Sequence, residues 1–320
     1  MKRLLTLVFL QLAAFAATAQ DYPNKPIRVI VPFGAGGGTD IMTRFITEEM
    51  TKSLGRSVVV ENRPGGGTVI GAEVVAKSPP DGYTLLSTSS ATYAINPSLY
   101  PKLPYDPIAD FAPIAFTGRF TVAVIVHADF PAKTLKEYVA LAKSQPGKIA
   151  YASPGPTSGT RLGMELFADH VGITLSHIPY KGQAQADQDV AAGHVPSGVS
   201  NPGNAMPHIK SGRVRMLAIA TARRWPTVPD VPTFDEAGFP GVQAGVWQAM
   251  VAPAGTPQPI IQRLNQEIVR IVSDPEVQRK FIAAGVEPLD KGTPEEVAAH
   301  MKREIPRWRE VLQKAKIKAE

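Results

Sequence analysis

Along most of the chain, short unbroken apolar runs alternate with stretches whose apolar positions recur every three or four residues. PIRVIV (26–31), SVVVE (57–61) and YTLLS (83–87) are runs of the first kind, with the length of buried strands. Between the first two, DIMTRFITEEMTKSLG (40–55) sets Met42, Phe45, Ile46, Met50 and Leu54 on one stripe and ends at Gly55, as an amphipathic helix does. GAEVVAKS reads as a second helix. This strand–helix alternation predicts an α/β fold whose sheet is mostly parallel, with helices on both faces. A second series begins at TVAVIV (121–126) and continues through a helix at 134–144, KIAYAS (148–153), a helix from about 160 and VRMLAIA (214–220). PKLPYDPIADFAPI, between the two series, reads as a proline-rich connection. WQAMVAP (247–253) is strand-like and leads into a helical C-terminal part. Its helix starts are Thr256-Pro257 and Thr293-Pro294-Glu295-Glu296. The second has a capping box with proline at the first helical position.

Two series of similar size with no low-complexity linker predict two lobes sharing a cleft. The chain is expected to cross between them near 118–122 and 243–247. Lobe 1 would then comprise 20–120 plus 245–320, and lobe 2 would comprise 121–244. Residues 1–19 stand apart: Lys2 and Arg3 precede an apolar core, and Ala17-Thr18-Ala19 offers small residues for cleavage. That is the anatomy of a signal peptide, and it places the mature chain in the periplasm. No later segment reaches the roughly 18 apolar residues of a spanning helix.

Composition removes several functions. Without Lys2 and Arg3 the formal charge falls from +6 to +4, and apart from the terminal KAKIKAE the basic residues are dispersed. Nucleic-acid binding requires a clustered basic stripe, so no nucleic-acid partner is expected. There is no cysteine, hence no thiol nucleophile and no disulfide. The six histidines lack any metal-binding spacing and no G-x-S-x-G elbow occurs, so neither a metal nor a catalytic role is expected.

What remains is a set of loops. VPFGAGGGTD (31–40) joins a strand to a helix through four glycines. It fails the dinucleotide fingerprint at Thr39 and has no phosphate-loop lysine, so no nucleotide cofactor is expected. A glycine turn at a helix N-terminus is instead a general anion site, open to a carboxylate, or simply a tight turn. Asp40, its one acid, reads as a dipole or loop-holding partner. YASPGPTSGTRLGMELF (151–167) repeats strand, Gly/Ser/Thr turn and helix in the second series. STSSATYAINP (87–97) adds a third loop after a strand, with four consecutive hydroxyl residues. In open α/β sheets ligands bind beyond the carboxyl ends of strands, where all three loops lie.

NRPGGGTVIGAEVVAKSPPDGYTLL (62–86), YKGQAQADQDVAAGHV (180–195) and TARRWPTVPDVPTFDEAGFPGV (221–242) resemble the solute receptors of tripartite tricarboxylate transporters, the Bug or TctC family. PFGAGGGTD is similar to their first ligand loop and APAGTP (252–257) to their return segment, and the likeness covers essentially the whole mature chain. The resemblance implies a monomeric periplasmic-binding-protein (Venus flytrap) fold, no cofactor and no catalysis. It implies capture of a small organic carboxylate and its delivery to membrane permease subunits; the alternative is a periplasmic sensor that uses the same site. Carried over residue by residue, it points to Phe33, Ala35, Gly36 and Gly37 in lobe 1, and to Ser153, Gly155, Thr157, Ser158 and Thr160 in lobe 2. Ser90 lies in the loop that in such receptors usually lines the same pocket, and Asn201 and Trp247 are suggested for the far end of the ligand. Many members carry an acid two places after Gly-x in a G-x-V segment. Here Gly193-His194-Val195 is followed by Pro196, which favours a ligand without an amine, such as a dicarboxylate or aromatic acid.

Overall fold

The computed structural model describes residues 22–155, 158–180, 182–242, 244–289 and 292–314. The signal segment and Thr157 lie outside the described residues. In the first series, β1 (Ile27–Val31), β2 (Val58–Asn62) and β3 (Thr84–Ser89) are joined through α1 (Gly38–Leu54) and α2 (Val69–Ala76). A turn at Ala91–Ile95 and the short α3 (Asn96–Leu99) lead to β4 (Phe111–Thr121). The second series runs β5 (Ala123–His127), α4 (Leu135–Ser144), β6 (Ala150–Ser153), α5 (Gly159–Val171) and β7 (Ser176–Pro179). It continues through α6 (Gln183–Ala191), β8 (Ser197–Ser200), α7 (Pro202–Lys210) and β9 (Val214–Ile219). The chain then returns along β10 (Gly245–Pro253) to α8 (Gln258–Val272), α9 (Pro275–Ala283), β11 (Val286–Glu287) and α10 (Pro294–Lys314).

Six strands form one sheet in the order β11-β4-β10-β3-β1-β2, and five form the other, β7-β6-β8-β5-β9. Both sheets are mixed, which corrects the expectation of mostly parallel ones. Among the named strands, parallel pairing is confined to β2-β1-β3 and β7-β6-β8. β10 is antiparallel to both β3 and β4, and β5 is antiparallel to both β8 and β9. The reason is the path between the sheets: β4 runs straight into β5 through Val122, and β10 brings the chain back, so these strands cannot follow crossover helices. β4 also occupies part of the stretch read as connection. Pro113 sits inside it next to a register shift opposite Met250 and Val251, where a missing N–H is tolerated.

The first sheet is covered on both faces, which explains its continuous apolar runs. Val29, Leu85 and Met250 pack with α1 and α8, while Ile30, Leu86 and Trp247 pack on the opposite face. Local signals fix the ends of the helices. Gly55 closes α1 at φ 64°, a conformation glycine adopts without cost. Thr293 and Glu296 exchange hydrogen bonds at the start of α10 (Thr293 N to Glu296 Oε2 2.9 Å; Glu296 N to Thr293 Oγ1 3.3 Å). Thr293→Ala removes the side-chain half of this box and is expected to cost about 1 kcal/mol in urea unfolding; an unchanged midpoint would show that α10 does not depend on its cap.

The two sheet units meet at several points. Leu162 of α5 is buried in a cluster with Ala91, Ala94, Ile95, Trp308 and Leu312. A Cβ on Gly163 would come within 2.6 Å of Val122, so glycine lets α5 lie close to the crossing strand. On the other side, Gly203 leaves no room for a side chain against the backbone of Ala284, and Trp225 Nε1 donates to Ile282 O at 3.3 Å.

Candidate functional site

The strand order brings the carboxyl ends of β1, β2 and β3 to the edge from which the chain crosses, and those of β6 and β8 face them from the second sheet. Each end turns into a helix or helical turn: α1, the 66–68 turn with α2, the 91–95 turn, α5 and α7. The first amides of a helix have no partner within it, so several donor ends converge on the space between the sheets.

In the first loop Ala35, Gly36 and Gly37 are exposed and Phe33 is half-buried. Gly36 has φ 76°, a left-handed turn that favours glycine. Its N–H donates to Asp40 Oδ2 at 2.9 Å, and the Gly37 N–H donates to Gly34 O at 3.3 Å. These two amides therefore shape the loop. The amides of Ala35 and of Gly38, Thr39 and Asp40, the first residues of α1, have no such partner among the described residues. Asp40 is the loop's anchor: it also accepts from Arg44 Nε at 3.0 Å and Asn62 Nδ2 at 2.9 Å, while Asn62 Nδ2 donates to Phe33 O at 3.1 Å. Burial works against ionisation of Asp40, but the bonds from Arg44, the Gly36 amide and Asn62 outweigh it and hold its pKa below the usual carboxylate value. The reading of Asp40 as a loop-holding acid agrees with this geometry. Gly38 in turn lies beneath the Phe120 ring, which a Cβ would meet at 2.6 Å.

The second loop has the same division of labour. Ser153 and Ser158 both donate to Gly155 O, at 3.2 and 2.9 Å, which holds Gly155 at φ 129°. Ser158 Oγ accepts from Arg161 N at 3.3 Å and so caps α5. Ser153 Oγ also lies 2.7 Å from His177 Nε2. Burial, then the charge of Arg161, pushes the His177 pKa down to about 4, so the ring is neutral at pH 7. Behind it Tyr151 donates to Glu165 at 2.6 Å. Thr160 is different: its hydroxyl is buried and has no partner among the described residues.

Ser90 shares that property. It is fully buried, and its Oγ has no hydrogen-bond partner among the described residues. Buried hydroxyls without partners are rare in folded proteins. The segment after Ser90 packs against α5 through Ala91 and Leu162, so the two unpartnered hydroxyls belong to elements in contact, one from each sheet unit.

Two further predicted residues have structural partners of their own. Asn201 is buried, and its Oδ1 accepts from Asn204 N at 3.0 Å as the cap of α7, beside Gly285. Trp247 is buried in the first core, 6.0 Å from Tyr93 and nearly parallel to it (13°). The alternation of β10 puts its neighbour Val246 against Gly159 and turns Trp247 to the opposite side.

One part of the site was not assigned from sequence. Gly65, Gly66, Gly67 and Thr68 all have positive φ (130°, 55°, 60° and 90°). Thr68 is held there by hydrogen bonds: its Oγ1 lies 2.8 Å from Thr92 Oγ1 and accepts from Asn96 Nδ2 at 3.1 Å, while Asn96 Nδ2 also reaches Gly67 O at 2.9 Å. Left-handed backbone at a non-glycine residue persists where its surroundings enforce it and clusters at ligand sites. The tetrapeptide GGGT, present at both 36–39 and 65–68, was the visible signal. Only the first copy enters a long helix directly.

Comparison with known proteins places this geometry in context. The family model described as the tripartite tricarboxylate transporter family receptor matches residues 42–317. The chain is 38% identical over 325 residues to Protein BugT of Bordetella pertussis (strain Tohama I), covering 99% of each sequence. Among solved structures it is similar to one from R. palustris with adipate (TM-score 0.84, 33% identity, 93% of this chain and 99% of that one). It is also similar to MatC from Rhodopseudomonas palustris with bound malate (TM-score 0.79, 34% identity, 91% and 100%).

Proposed function

Because the chain belongs to the tripartite tricarboxylate transporter receptor family, we propose that it captures a small dicarboxylate between its two sheet units and delivers it to membrane permease subunits. It is a receptor and not an enzyme, as its family is. The observation that carries the ligand class is the pairing of donor ends from different sheets, α1 on one side and α5 on the other, with the unpartnered hydroxyls of Ser90 and Thr160 nearby. Each helix end favours an anion by about 0.3–1 kcal/mol when exposed and up to about 2 when partly buried. Micromolar binding requires about 8 kcal/mol, so one loop is insufficient and the donors of both loops must act together. This is the physical reason for a ligand that is enclosed when the lobes close. The adipate and malate of the two similar structures are dicarboxylates and carry no ammonium group, in keeping with the Pro196 departure at the second lobe's acidic position.

On this reading the lobes are 20–120 plus 245–320 and 121–244, residues 1–19 are a cleaved leader, the receptor works in the periplasm, and it does so as a monomer. The ligand shell comprises the amides of Ala35, Gly38 and Thr39, the second loop from Gly155 through Thr157 to Thr160, and Ser90. Phe33, Gly36, Gly37, Ser153 and Ser158 hold the loops in shape. A thermal-shift screen against mono-, di- and tricarboxylates tests the ligand class. A dicarboxylate at 100 times its dissociation constant should stabilise the protein by about 2.7 kcal/mol. Stabilisation by amines or sugars, and by no carboxylate, would refute the assignment.

A further inference from the structure

Behind the crossing strands lies a cavity of about 500 Å³, the size of a small-molecule site. Its walls come from both sheet units: Phe116 and Arg119 of β4, Trp247 of β10, His300 and Arg307 of α10, and Ala222 from the segment that follows β9. Among the predicted carboxylate-site residues only Trp247 reaches it. β10 itself stands between the two places, with Val246 turned to the second loop at Gly159 and Trp247 turned to the cavity. Three rings meet at its base: Trp247 lies 5.1 Å from His300 and 6.2 Å from Phe116, both edge to face.

Trp247 is only 4% exposed, and its Nε1 and His300 Nε2 are buried with no hydrogen-bond partner among the described residues. The charges of the wall are paired, with one carboxylate in excess. Arg119 donates to Glu287 at 2.7 Å and Arg307 to Glu304 at 3.0 Å, and Asp235 adds a further carboxylate. Burial, foremost, keeps His300 from protonating and lowers its pKa, so the imidazole adds no charge at pH 7. Aromatic rings beside paired charges with a carboxylate in excess do not suit a free anion. They suit a neutral planar ring carrying both an acceptor and a donor.

We propose that this cavity is a second ligand site, distinct from the carboxylate cleft, for small neutral aromatic amides or lactams. The ring packs among Phe116, Trp247 and His300. The carbonyl accepts from the arginine side of the wall, and the N–H faces its carboxylates.

Benzamide is the probe, followed by calorimetry and by indole fluorescence. Two variants separate the sites: Ala222→Trp, an exposed position that fills the cavity mouth, and Asp40→Ala, which loosens the first carboxylate loop. Benzamide should bind the unaltered protein and Asp40→Ala with the same affinity and should bind Ala222→Trp at least about tenfold more weakly. Ala222→Trp should keep its dicarboxylate-induced thermal shift, which shows that the variant is folded and that the cleft is intact. No benzamide binding up to about 10 mM, an affinity lower than any specific small-ligand site needs, would overturn the proposal. So would loss of benzamide binding in Asp40→Ala with retention in Ala222→Trp. Because the probe is uncharged, failure here leaves the carboxylate assignment untouched.

Discussion

Replacing Asp40 with alanine is expected to weaken dicarboxylate binding about a hundredfold, equivalent to about 2.7 kcal/mol, while the protein still unfolds cooperatively. Two effects compete in this variant. Asp40 carries a negative charge close to an anion site, so its removal taken alone would favour the ligand. That charge is already compensated by Arg44 at 3.0 Å, which leaves little repulsion to relieve. Against it stands the loss of three bonds to one carboxylate, from Gly36 N, Arg44 Nε and Asn62 Nδ2. Hydrogen bonds to charged groups contribute about 1.5–3 kcal/mol each, and here they fix the left-handed turn at Gly36 and, through Asn62, the Phe33 carbonyl. Once released, the loop must order itself on each binding event, and that cost is taken from affinity. Titration calorimetry measures the effect directly. Binding as tight as, or tighter than, that of the unaltered protein would show that charge, not loop order, governs this half of the site.

The second large effect concerns pH and two groups behind the second loop. Asp187 of α6 is 1% exposed, accepting from Ser200 Oγ at 2.7 Å and Gln183 Nε2 at 2.8 Å. Burial raises its pKa from 3.8 to about 7, against the smaller opposing pull of those two bonds. The folded state therefore holds a proton on Asp187 that the unfolded state has released. Its contribution to stability is fully present below pH 4 and is lost as pH rises through 7. His177 has the opposite sign. Its folded pKa of about 4 lies below its ordinary 6.5, so stability is complete above 6.5 and falls as pH drops towards 4. The two slopes oppose each other across the same window, and the unaltered protein should show a flat profile there.

Asp187→Asn removes one slope and exposes the other. The amide oxygen can still accept from Gln183, and its NH2 can donate to the Ser200 oxygen in place of the bond that Asp187 accepts. Relative to the unaltered protein, the variant should gain up to about 4 kcal/mol between pH 4 and pH 8, from about three pKa units at 1.36 kcal/mol each. Urea unfolding at several pH values reads this difference. A gap between the two proteins that stays constant with pH would mean that Asp187 is ionised in the folded state. His177→Gln should do the reverse and leave a stability that falls from pH 4 to pH 7.

How much of this was legible in the sequence follows from the physics of each element. The ligand loops could be read because their glycines and hydroxyls are local: Gly36 needs its left-handed φ and Ser158 its cap whatever the rest of the chain does. β4 could not be read, because Pro113 signals a loop and only the register shift against β10 makes it tolerable in a strand. The direction of Trp247 was hidden for a related reason. Strand alternation says that Val246 and Trp247 face opposite ways, but only the packing of α5 decides which of them faces the loops. Asn201 looked like a polar contact for the ligand and is used locally as the cap of α7. Asp187 sits in the polar run QAQADQD, which gives no sign that one of its acids is sealed under β8. Sequence thus shows what the backbone demands locally, and the side on which a residue ends up waits for its neighbours.

The central claim is that one dicarboxylate is held at once by helix ends from both sheet units. Amide NMR of protein labelled at glycine tests it most directly, because Gly38 opens α1 and Gly159 opens α5. On titration with a dicarboxylate that stabilises the protein, both amide resonances should move together with one dissociation constant, while Gly172 at the far end of α5 stays in place. Saturable binding that shifts only one of the two, or neither, would contradict the account.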